Sequence, residues 1–163
     1  MKTAIVYYSM NGNTEYAVKK IAEQTDAELI PIRPVKAYPD KGFKKFFWGG
    51  KSAVMGEKPE LEGYSFDAKK YDVIVFATPV WASNFTPPIR TFIEDNRGVL
   101  KGKKFAAVIC FSGGGADKAI IKLKDFLGTD SFAAELILID PKDKPDSANE
   151  SKLADFCKKL NEL

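Results

Sequence analysis

Short apolar segments alternate with helical segments along the whole chain, and this order restricts the fold more than any other feature of the sequence. The segments that predict β-strands are 3–8, 27–32, 71–77, 104–111 and 132–139. The segments that predict helices are 15–24, 43–55, 86–95, 116–127 and a last one from about residue 148. Such an alternation predicts an α/β fold in which a parallel sheet carries helices on both faces.

Local signals refine this picture for individual elements. Segments 71–77 and 104–111 are continuous apolar runs, which are typical of strands covered on both faces. Segment 27–32 contains a proline and charged residues, so we expect it towards an edge of the sheet. Thr86 followed by Pro87 has the pattern of an N-cap and a first helical position.

The segment 43–55 is basic and aromatic, and its structure is harder to predict. Apolar or small residues at helical spacing are Phe43, Phe46, Phe47, Gly50 and Val54. They favour a partly buried amphipathic helix with solvated lysines, although Gly49 and Gly50 weaken that prediction. Binding to nucleic acid or to a membrane surface is the alternative for such a composition. Trp48 is a candidate for contact with a substrate or another subunit.

Overall composition limits the classes of function. The chain has 163 residues, expected to form one domain over 1–163, with a net charge of +3 and no histidine. That charge is too small to indicate nucleic acid, and it is compatible with an anionic ligand. The absence of histidine removes Ser–His and Cys–His dyads and histidine metal sites. No apolar run approaches a membrane span and no signal peptide is recognisable, so we expect a cytoplasmic protein.

The cysteines, Cys110 and Cys157, are far apart and lack metal-type spacing. Cys110 lies inside an apolar strand segment, which predicts a buried thiol rather than a disulfide. No metal ligands and no catalytic side chains are therefore predicted.

Three loops with unusual composition follow predicted strands, at 9–14, 78–85 and 112–115. They leave the first, third and fourth strands, which are neighbours in a sheet of order 2-1-3-4-5. Ligands of such sheets bind outside the carboxyl ends of the strands, at the switch point of the topology. One ligand could therefore contact all three loops.

The first loop has the sequence Ser9-Met10-Asn11-Gly12-Asn13-Thr14. It joins a buried strand to a helix, where free backbone N–H groups and the helix dipole favour an anion. Gly12 permits a sharp turn and a close approach to a ligand. Side-chain donors are available from Ser9, Asn11, Asn13 and Thr14. Because no Lys or Arg lies between Lys2 and Lys19, we expect hydrogen bonds and the dipole, not a salt bridge, to neutralise a bound phosphate.

This loop resembles the phosphate-binding loop of the flavodoxin family, whose pattern is a hydroxyl residue, any residue, Thr or Ser, Gly, Asn and Thr. Asn11 replaces a hydroxyl residue of that pattern but keeps a side-chain donor. The resemblance covers essentially the whole chain in element order and length. It implies a flavodoxin-like three-layer α/β/α fold with a five-stranded parallel sheet of order 2-1-3-4-5. It also implies non-covalently bound FMN and electron or hydride transfer through that flavin.

The resemblance assigns a task to each loop. Loop 9–14 would hold the FMN phosphate, and Trp81 would lie against the flavin ring. Gly113 and Gly114 would let the backbone approach one edge of the ring, since they carry no Cβ. The residues expected at the cofactor are Ser9, Met10, Asn11, Gly12, Asn13, Thr14, Thr78, Pro79, Val80, Trp81, Ala82, Ser112, Gly113 and Gly114.

Two departures from the family pattern bear on function. The loop after the fourth strand, 112–117, has no aromatic residue, so one face of the ring is expected to be open to a nicotinamide or a quinone. The loop 78–85 lacks glycine, and a positive φ there would carry a steric cost. From that cost we expect a bias towards two-electron chemistry. Many electron-carrier flavodoxins are also strongly acidic, whereas this chain is basic.

Other classes of the same architecture lack their required residues here. A receiver domain needs an acceptor Asp where this chain has Thr78, and a low-molecular-weight phosphatase needs an Arg where it has Ala116. The preferred function is electron transfer between redox partner proteins. The alternative is an NAD(P)H-dependent FMN or quinone oxidoreductase, and a third possibility is a non-redox module for another phosphorylated ligand. Simpler interpretations also stand: loop 9–14 as a capped turn, Trp81 as a core residue, and Gly113–Gly115 as a flexible connection.

Overall fold

The structure of the protein is a computed structural model that describes the backbone of residues 1–163 and all side chains except those of residues 42, 43, 46 and 47. The strands are β1 (Thr3–Tyr7), β2 (Glu28–Pro31), β3 (Val73–Pro79), β4 (Lys104–Phe111) and β5 (Glu135–Ile139). The α-helices are α1 (Asn13–Thr25), α2 (Gly42–Val54), α3 (Pro87–Leu100), α4 (Ala116–Leu127) and α5 (Ser147–Asn161).

The strands form one parallel five-stranded sheet in the order β2-β1-β3-β4-β5. This confirms the predicted fold class and strand order, including the position of β2 at an edge. The order reverses between β1 and β3, so the loops that follow β1, β3 and β4 leave neighbouring strands at the same edge of the sheet. The topology thus brings segments distant in sequence to one site.

Alternation along the strands divides the apolar core into two main clusters, one on each face of the sheet. Ile5, Val75 and Val108 face one cluster, which includes residues of α1 and α5. Val6 and Phe76 face the other, which includes residues of α3 and α4. Because successive strand residues point to opposite faces, a continuous apolar strand contributes to both layers. This arrangement is the expected three-layer α/β/α fold.

Some element boundaries differ from the sequence prediction for identifiable reasons. Helix α3 continues past Asp95 to Leu100, because Leu100 is buried in the core and its packing stabilises the last turn. A short 3₁₀ helix, Ala68–Lys70, lies in a segment predicted to be a loop. Strand β3 extends through Thr78 and Pro79, which the prediction assigned to the following loop.

Helix α2 is present as predicted, despite its two adjacent glycines. Its Ala53 is buried, whereas Val54, predicted on the packed face, is 69% exposed, so that part of the prediction was wrong. The predicted roles of Phe43, Phe46 and Phe47 fall outside the described side chains.

None of the helices in the described part of the chain is long and apolar enough to cross a membrane.

Candidate functional site

A cleft of about 420 Å³ opens at the carboxyl edge of the sheet. Its lining comes from the loops after β1, β3 and β4, together with α2 and the end of β5. The lining residues are Ser9, Met10, Asn11, Asn13, Thr14, Lys45, Gly50, Pro79, Val80, Trp81, Ala82, Ser83, Cys110, Phe111, Ser112, Gly113, Gly114 and Asp140. A cleft of this size is in the range of small-ligand and cofactor sites.

The first loop is organised around the hydroxyl of Ser9. Ser9 Oγ accepts hydrogen bonds from the backbone N–H groups of Gly12 and Glu15, both at 3.2 Å. These two bonds occupy the acceptor capacity of the hydroxyl, so its own proton is available for donation to a ligand. Gly12 is the N-cap of α1 and has a φ of 89°, a conformation that suits glycine.

The start of α1 has the features of an anion site. The backbone N–H groups of Asn11, Asn13 and Thr14 have no hydrogen-bond partner among the described residues. Asn13 and Thr14 are the first two residues of α1, and Asn11 directly precedes its N-cap. Unpaired donors and the positive end of the helix dipole coincide there. The loop therefore has a set of free donors that could bind an anion, and phosphate as that anion stays a prediction.

The side chain of Asn13 is occupied by a different part of the chain. Its Oδ1 accepts from the backbone N–H groups of Lys142, at 2.9 Å, and Asp143, at 3.3 Å. Its Nδ2 donates to Asp143 Oδ2 at 2.8 Å. In this arrangement the Asn13 amide holds the turn after β5 against the first loop. Its role as a side-chain donor to phosphate stays a prediction, and one N–H of its Nδ2 is already used by Asp143.

The same turn brings a cation to the first loop. Lys142 Nζ donates to the Asn11 carbonyl at 3.3 Å. The sequence argument placed no Lys or Arg near this loop, because it considered only neighbours along the chain. The tertiary structure brings one to the loop from more than a hundred residues away. Neutralisation of a bound phosphate by hydrogen bonds and the dipole alone stays a prediction.

The second loop is a tight turn in which two residues that carry a Cβ have positive φ. Trp81 and Asn84 exchange backbone hydrogen bonds of 2.9 and 3.0 Å across the turn. Ala82 and Ser83, between them, have φ values of 50° and 57°. Each such conformation costs about 1 kcal/mol for a residue with a Cβ. From the sequence we expected a steric cost to keep this loop from positive φ, but Ala82 and Ser83 already have positive φ in the fold. The steric cost of positive φ therefore no longer supports a bias towards two-electron chemistry.

Trp81 lies between the cleft and the aromatic core. Its ring makes edge-to-face contacts with Tyr8, at 5.6 Å between centroids, and with Tyr38, at 5.0 Å. A Cβ on Gly49 would lie 3.3 Å from Trp81 Cε3, so α2 approaches the indole closely at a glycine. Trp81 is thus both packed against the core and part of the cleft lining.

Thr78 does not line the cleft, although the sequence predicts it as a cofactor contact. It is fully buried, and its hydroxyl bonds Thr86 Oγ1 at 2.9 Å. Thr86 is at the N-cap position of α3, as predicted, but its side chain makes no capping hydrogen bond. The pair of hydroxyls instead ties the end of β3 to the start of α3.

The third loop combines two open glycines with one that is tightly packed. A Cβ at Gly113 or Gly114 would meet no described atom within 4 Å, so among the described residues their backbone faces open space in the cleft. Gly115 has a φ of +84°, and a Cβ there would lie 2.9 Å from Ser83 Cα. Gly115 therefore allows the second and third loops to meet. Gly113 and Gly114 leave room for a ligand.

Asp140, at the end of β5, brings a buried carboxylate to the cleft. Its Oδ1 accepts from Ser112 Oγ at 2.5 Å, and its Oδ2 pairs with Lys144 Nζ at 2.9 Å. Burial by itself raises the pKa of Asp140, but the bonds from Ser112 and Lys144 outweigh it and lower the pKa below 3.8. Asp140 is therefore ionised at neutral pH, with both oxygens engaged.

Cys110 and Cys157 are both free and buried. Cys110 lies at the bottom of the cleft, and burial raises the pKa of its thiol to about 12. A thiol with that pKa stays protonated at neutral pH, which does not favour a nucleophilic role.

The structure brings together all three predicted loops, and only Gly12 and Thr78 among the predicted site residues do not line the cleft. Several residues that line the cleft were not predicted from the sequence to lie at the cofactor: Lys45, Gly50, Ser83, Cys110, Phe111 and Asp140. Asp140 directly follows a parallel strand, so the rule that identified the three loops also applied to it. Lys45 and Gly50 reach the cleft through the placement of α2, for which the sequence carries no comparable signal.

Solved structures of flavoproteins share this fold. A flavoprotein from Lactobacillus acidophilus NCFM, in complex with FMN, is 21% identical with a TM-score of 0.71, over 87% of this chain and 95% of that chain. Two-electron reduced flavodoxin from Megasphaera elsdenii is 19% identical with a TM-score of 0.61, over 99% of both chains. An NADH:FMN oxidoreductase in its apo form is 15% identical with a TM-score of 0.59, over 99% of this chain and 89% of that chain.

Family membership rests on the sequence as well as on the fold. The family model described as Flavodoxin matches residues 2–149. This range contains all five strands and the three loops that line the cleft. The match confirms the resemblance found in the loop sequences and supports FMN as the cofactor. The chain belongs to the flavodoxin family.

Proposed function

We propose that this protein is an electron-transfer flavoprotein that binds FMN non-covalently in the cleft. The observation that carries the proposal is the convergence of three chemically different loops, after β1, β3 and β4, on one cleft of about 420 Å³. One loop offers donors to an anion, one offers an aromatic side chain, and one offers open backbone. FMN has a phosphate at one end and a flat ring at the other. The donors suit the phosphate, and the aromatic side chain and the open backbone suit the ring.

At the phosphate end, loop 9–14 binds and orients the anion. The unpartnered N–H groups of Asn11, Asn13 and Thr14 and the proton of Ser9 are the donors. The helix dipole adds to the attraction.

At the ring end, Trp81 supplies apolar surface, and Gly113 and Gly114 supply backbone that a flat ligand can approach. The bound flavin supplies the redox chemistry, and the protein supplies position, local dielectric and hydrogen bonds. Asp140 carries no proton at neutral pH, and both of its oxygens are engaged by Ser112 and Lys144. We therefore assign to Asp140 the positioning of Ser112, and we assign proton supply to water.

The absorption spectrum of the purified protein tests this function. We expect a yellow protein with flavin bands, and release of FMN, not riboflavin, on denaturation. Stepwise anaerobic reduction of the bound flavin then measures its potential. A colourless protein that does not take up added FMN would contradict the proposal and favour another phosphorylated ligand.

A second candidate function is an NAD(P)H-dependent FMN or quinone oxidoreductase. The observation that favours it is the open space at Gly113 and Gly114, together with the absence of an aromatic residue in the third loop. A small donor or acceptor could reach the flavin from that side. Oxidation of NADH or NADPH in the presence of a quinone measures this activity. Turnover with a nicotinamide favours the enzyme, whereas reduction only by a partner protein favours the carrier.

A further inference from the structure

We propose that Lys142, in the turn after β5, supplies the positive charge that neutralises the phosphate bound at loop 9–14, and that it thereby selects a phosphorylated flavin over riboflavin. The proposal rests on the proposed function, since the anion concerned is the FMN phosphate. It adds a binding residue from a part of the chain outside the three loops that the sequence singles out.

The Lys142 ammonium lies against the middle of loop 9–14. Its Nζ lies 3.3 Å from the Asn11 carbonyl oxygen. It would also lie 3.1 Å from a Cβ built on Gly12. The ammonium therefore contacts the central residues of the loop, next to the residues whose N–H groups have no partner. A glycine at position 12 leaves the space in which the ammonium sits.

Hydrogen bonds to Asn13 hold the backbone of Lys142 in place. Asn13 Oδ1 accepts from the backbone N–H of Lys142 at 2.9 Å and from that of Asp143 at 3.3 Å. Asn13 Nδ2 closes the contact by donating to Asp143 Oδ2 at 2.8 Å. These bonds fix the backbone from which the lysine side chain extends. A cation placed before binding loses less conformational entropy when the anion arrives.

Other charged groups lie near the Lys142 ammonium. In the described structure, Lys142 Nζ donates to a carbonyl and makes no ion pair. The nearby carboxylate of Glu15 is already paired with Lys19 at 2.7 Å. That pair is the main reason why the pKa of Glu15 is lowered, and Lys142 makes a smaller contribution. The charge of Lys142 thus remains available for an incoming phosphate, which carries nearly two negative charges at neutral pH.

The test is a comparison of FMN and riboflavin binding by the full-length protein and by Lys142→Gln, followed through flavin fluorescence. We expect the variant to bind FMN about five- to tenfold more weakly and to bind riboflavin as the wild type does. High salt should reduce this difference, because the contact is partly exposed. Lys142→Arg should keep most of the FMN affinity. The matched control is Lys122→Gln, on the exposed surface of α4, which should leave both affinities unchanged.

Two outcomes overturn the inference: equal weakening of FMN and riboflavin, or no change in either. The first would give Lys142 only a structural role, and the second would give it none. If the wild type binds neither flavin, the proposed function fails, and inorganic phosphate then tests Lys142 independently. At constant ionic strength, phosphate should raise the thermal unfolding temperature of the wild type more than that of Lys142→Gln. An equal rise in both proteins, or no rise in the wild type, contradicts the proposal.

Discussion

At the scale of single residues, the shape of the cleft depends on where the chain has glycine and where it does not. Gly115 combines a positive φ with a close approach to the backbone of Ser83. Ala82 and Ser83 also have positive φ but carry a side chain, so this turn is held in a costly conformation by its surroundings. The two loops that meet here form one wall of the cleft.

Gly115→Ala should destabilise the protein by about 2–4 kcal/mol, since it combines a positive φ with overpacking against Ser83. Gly128→Ala is the matched control. Gly128 also has a positive φ, of +71°, but a Cβ there would meet nothing within 4 Å. The control should cost only about 1 kcal/mol. Urea unfolding measures both, and equal losses would show that the contact with Ser83 can relax.

Asp140 makes stability depend on pH in a defined direction. Its pKa in the folded protein is below the ordinary 3.8, so folding favours the ionised form. The stabilisation is fully present above pH 3.8 and is lost as the pH falls below that value towards the folded pKa. Asp140→Asn has no such dependence at this position.

We therefore expect the wild type to exceed Asp140→Asn in stability at pH 6, and the difference between them to shrink by pH 3. Urea unfolding of both proteins at each pH measures it, and the comparison cancels the titration of the other carboxylates. A difference that stays constant with pH would mean that the pKa of Asp140 is the same in the folded and the unfolded protein.

At the scale of the elements, α2 shows how a helix can tolerate two glycines. Gly49 faces Trp81, whose ring atoms lie 3.3–3.5 Å from the position of a Cβ. Among the described side chains, Gly50 has the Ala82 Cβ near it, at 3.8 Å from the position of a Cβ. Asn84 Nδ2 also bonds the Ala53 carbonyl at 3.0 Å, which fixes the end of α2 to the second loop. Tertiary contact thus overrides the weak helix propensity of this segment.

The two glycines should respond oppositely to alanine. Gly50→Ala should stabilise the protein by about 0.5–1 kcal/mol, because alanine favours the helix and its Cβ makes an ordinary contact. Gly49→Ala should gain nothing or lose stability, since its Cβ presses on the indole. Urea unfolding of the protein without cofactor measures both. A similar gain at both positions would contradict the close packing of α2 on Trp81.

At the scale of the whole molecule, two apolar layers enclose the sheet and bury both thiols. Cys110 and Cys157 belong to the same core cluster, on the face covered by α1 and α5. Burial raises the pKa of both, for Cys110 to about 12. A thiol of this kind reacts only after the surrounding core opens.

Labelling by a disulfide reagent at pH 8 should therefore be more than about a thousandfold slower in the native protein than in urea. Both cysteines should react together, at a rate set by opening of the core. The unfolded protein, in which two thiols react at once, is the control. Rapid labelling of one thiol in the native state would show that its part of the core opens locally.

The sequence alone determined the order of elements, the strand order and the loops at the cleft. These properties follow from local signals, because buried parallel strands are continuous apolar runs and phosphate loops need small polar residues at a helix start. The topology rule then brings the loops together without knowledge of any contact. The sequence also placed Trp81 and the glycines after Ser112 at the site.

Only the tertiary structure decided which partners the polar side chains of these loops have. Asn13 and Thr78 look equally like ligand contacts in the sequence, but one holds the turn after β5 and the other ties β3 to α3. Lys142 reaches loop 9–14 because that turn folds onto the loop. The physical reason is that hydrogen bonds and charges act over a few ångströms, whatever the separation along the chain. Local patterns therefore predict elements, whereas partners are set by packing.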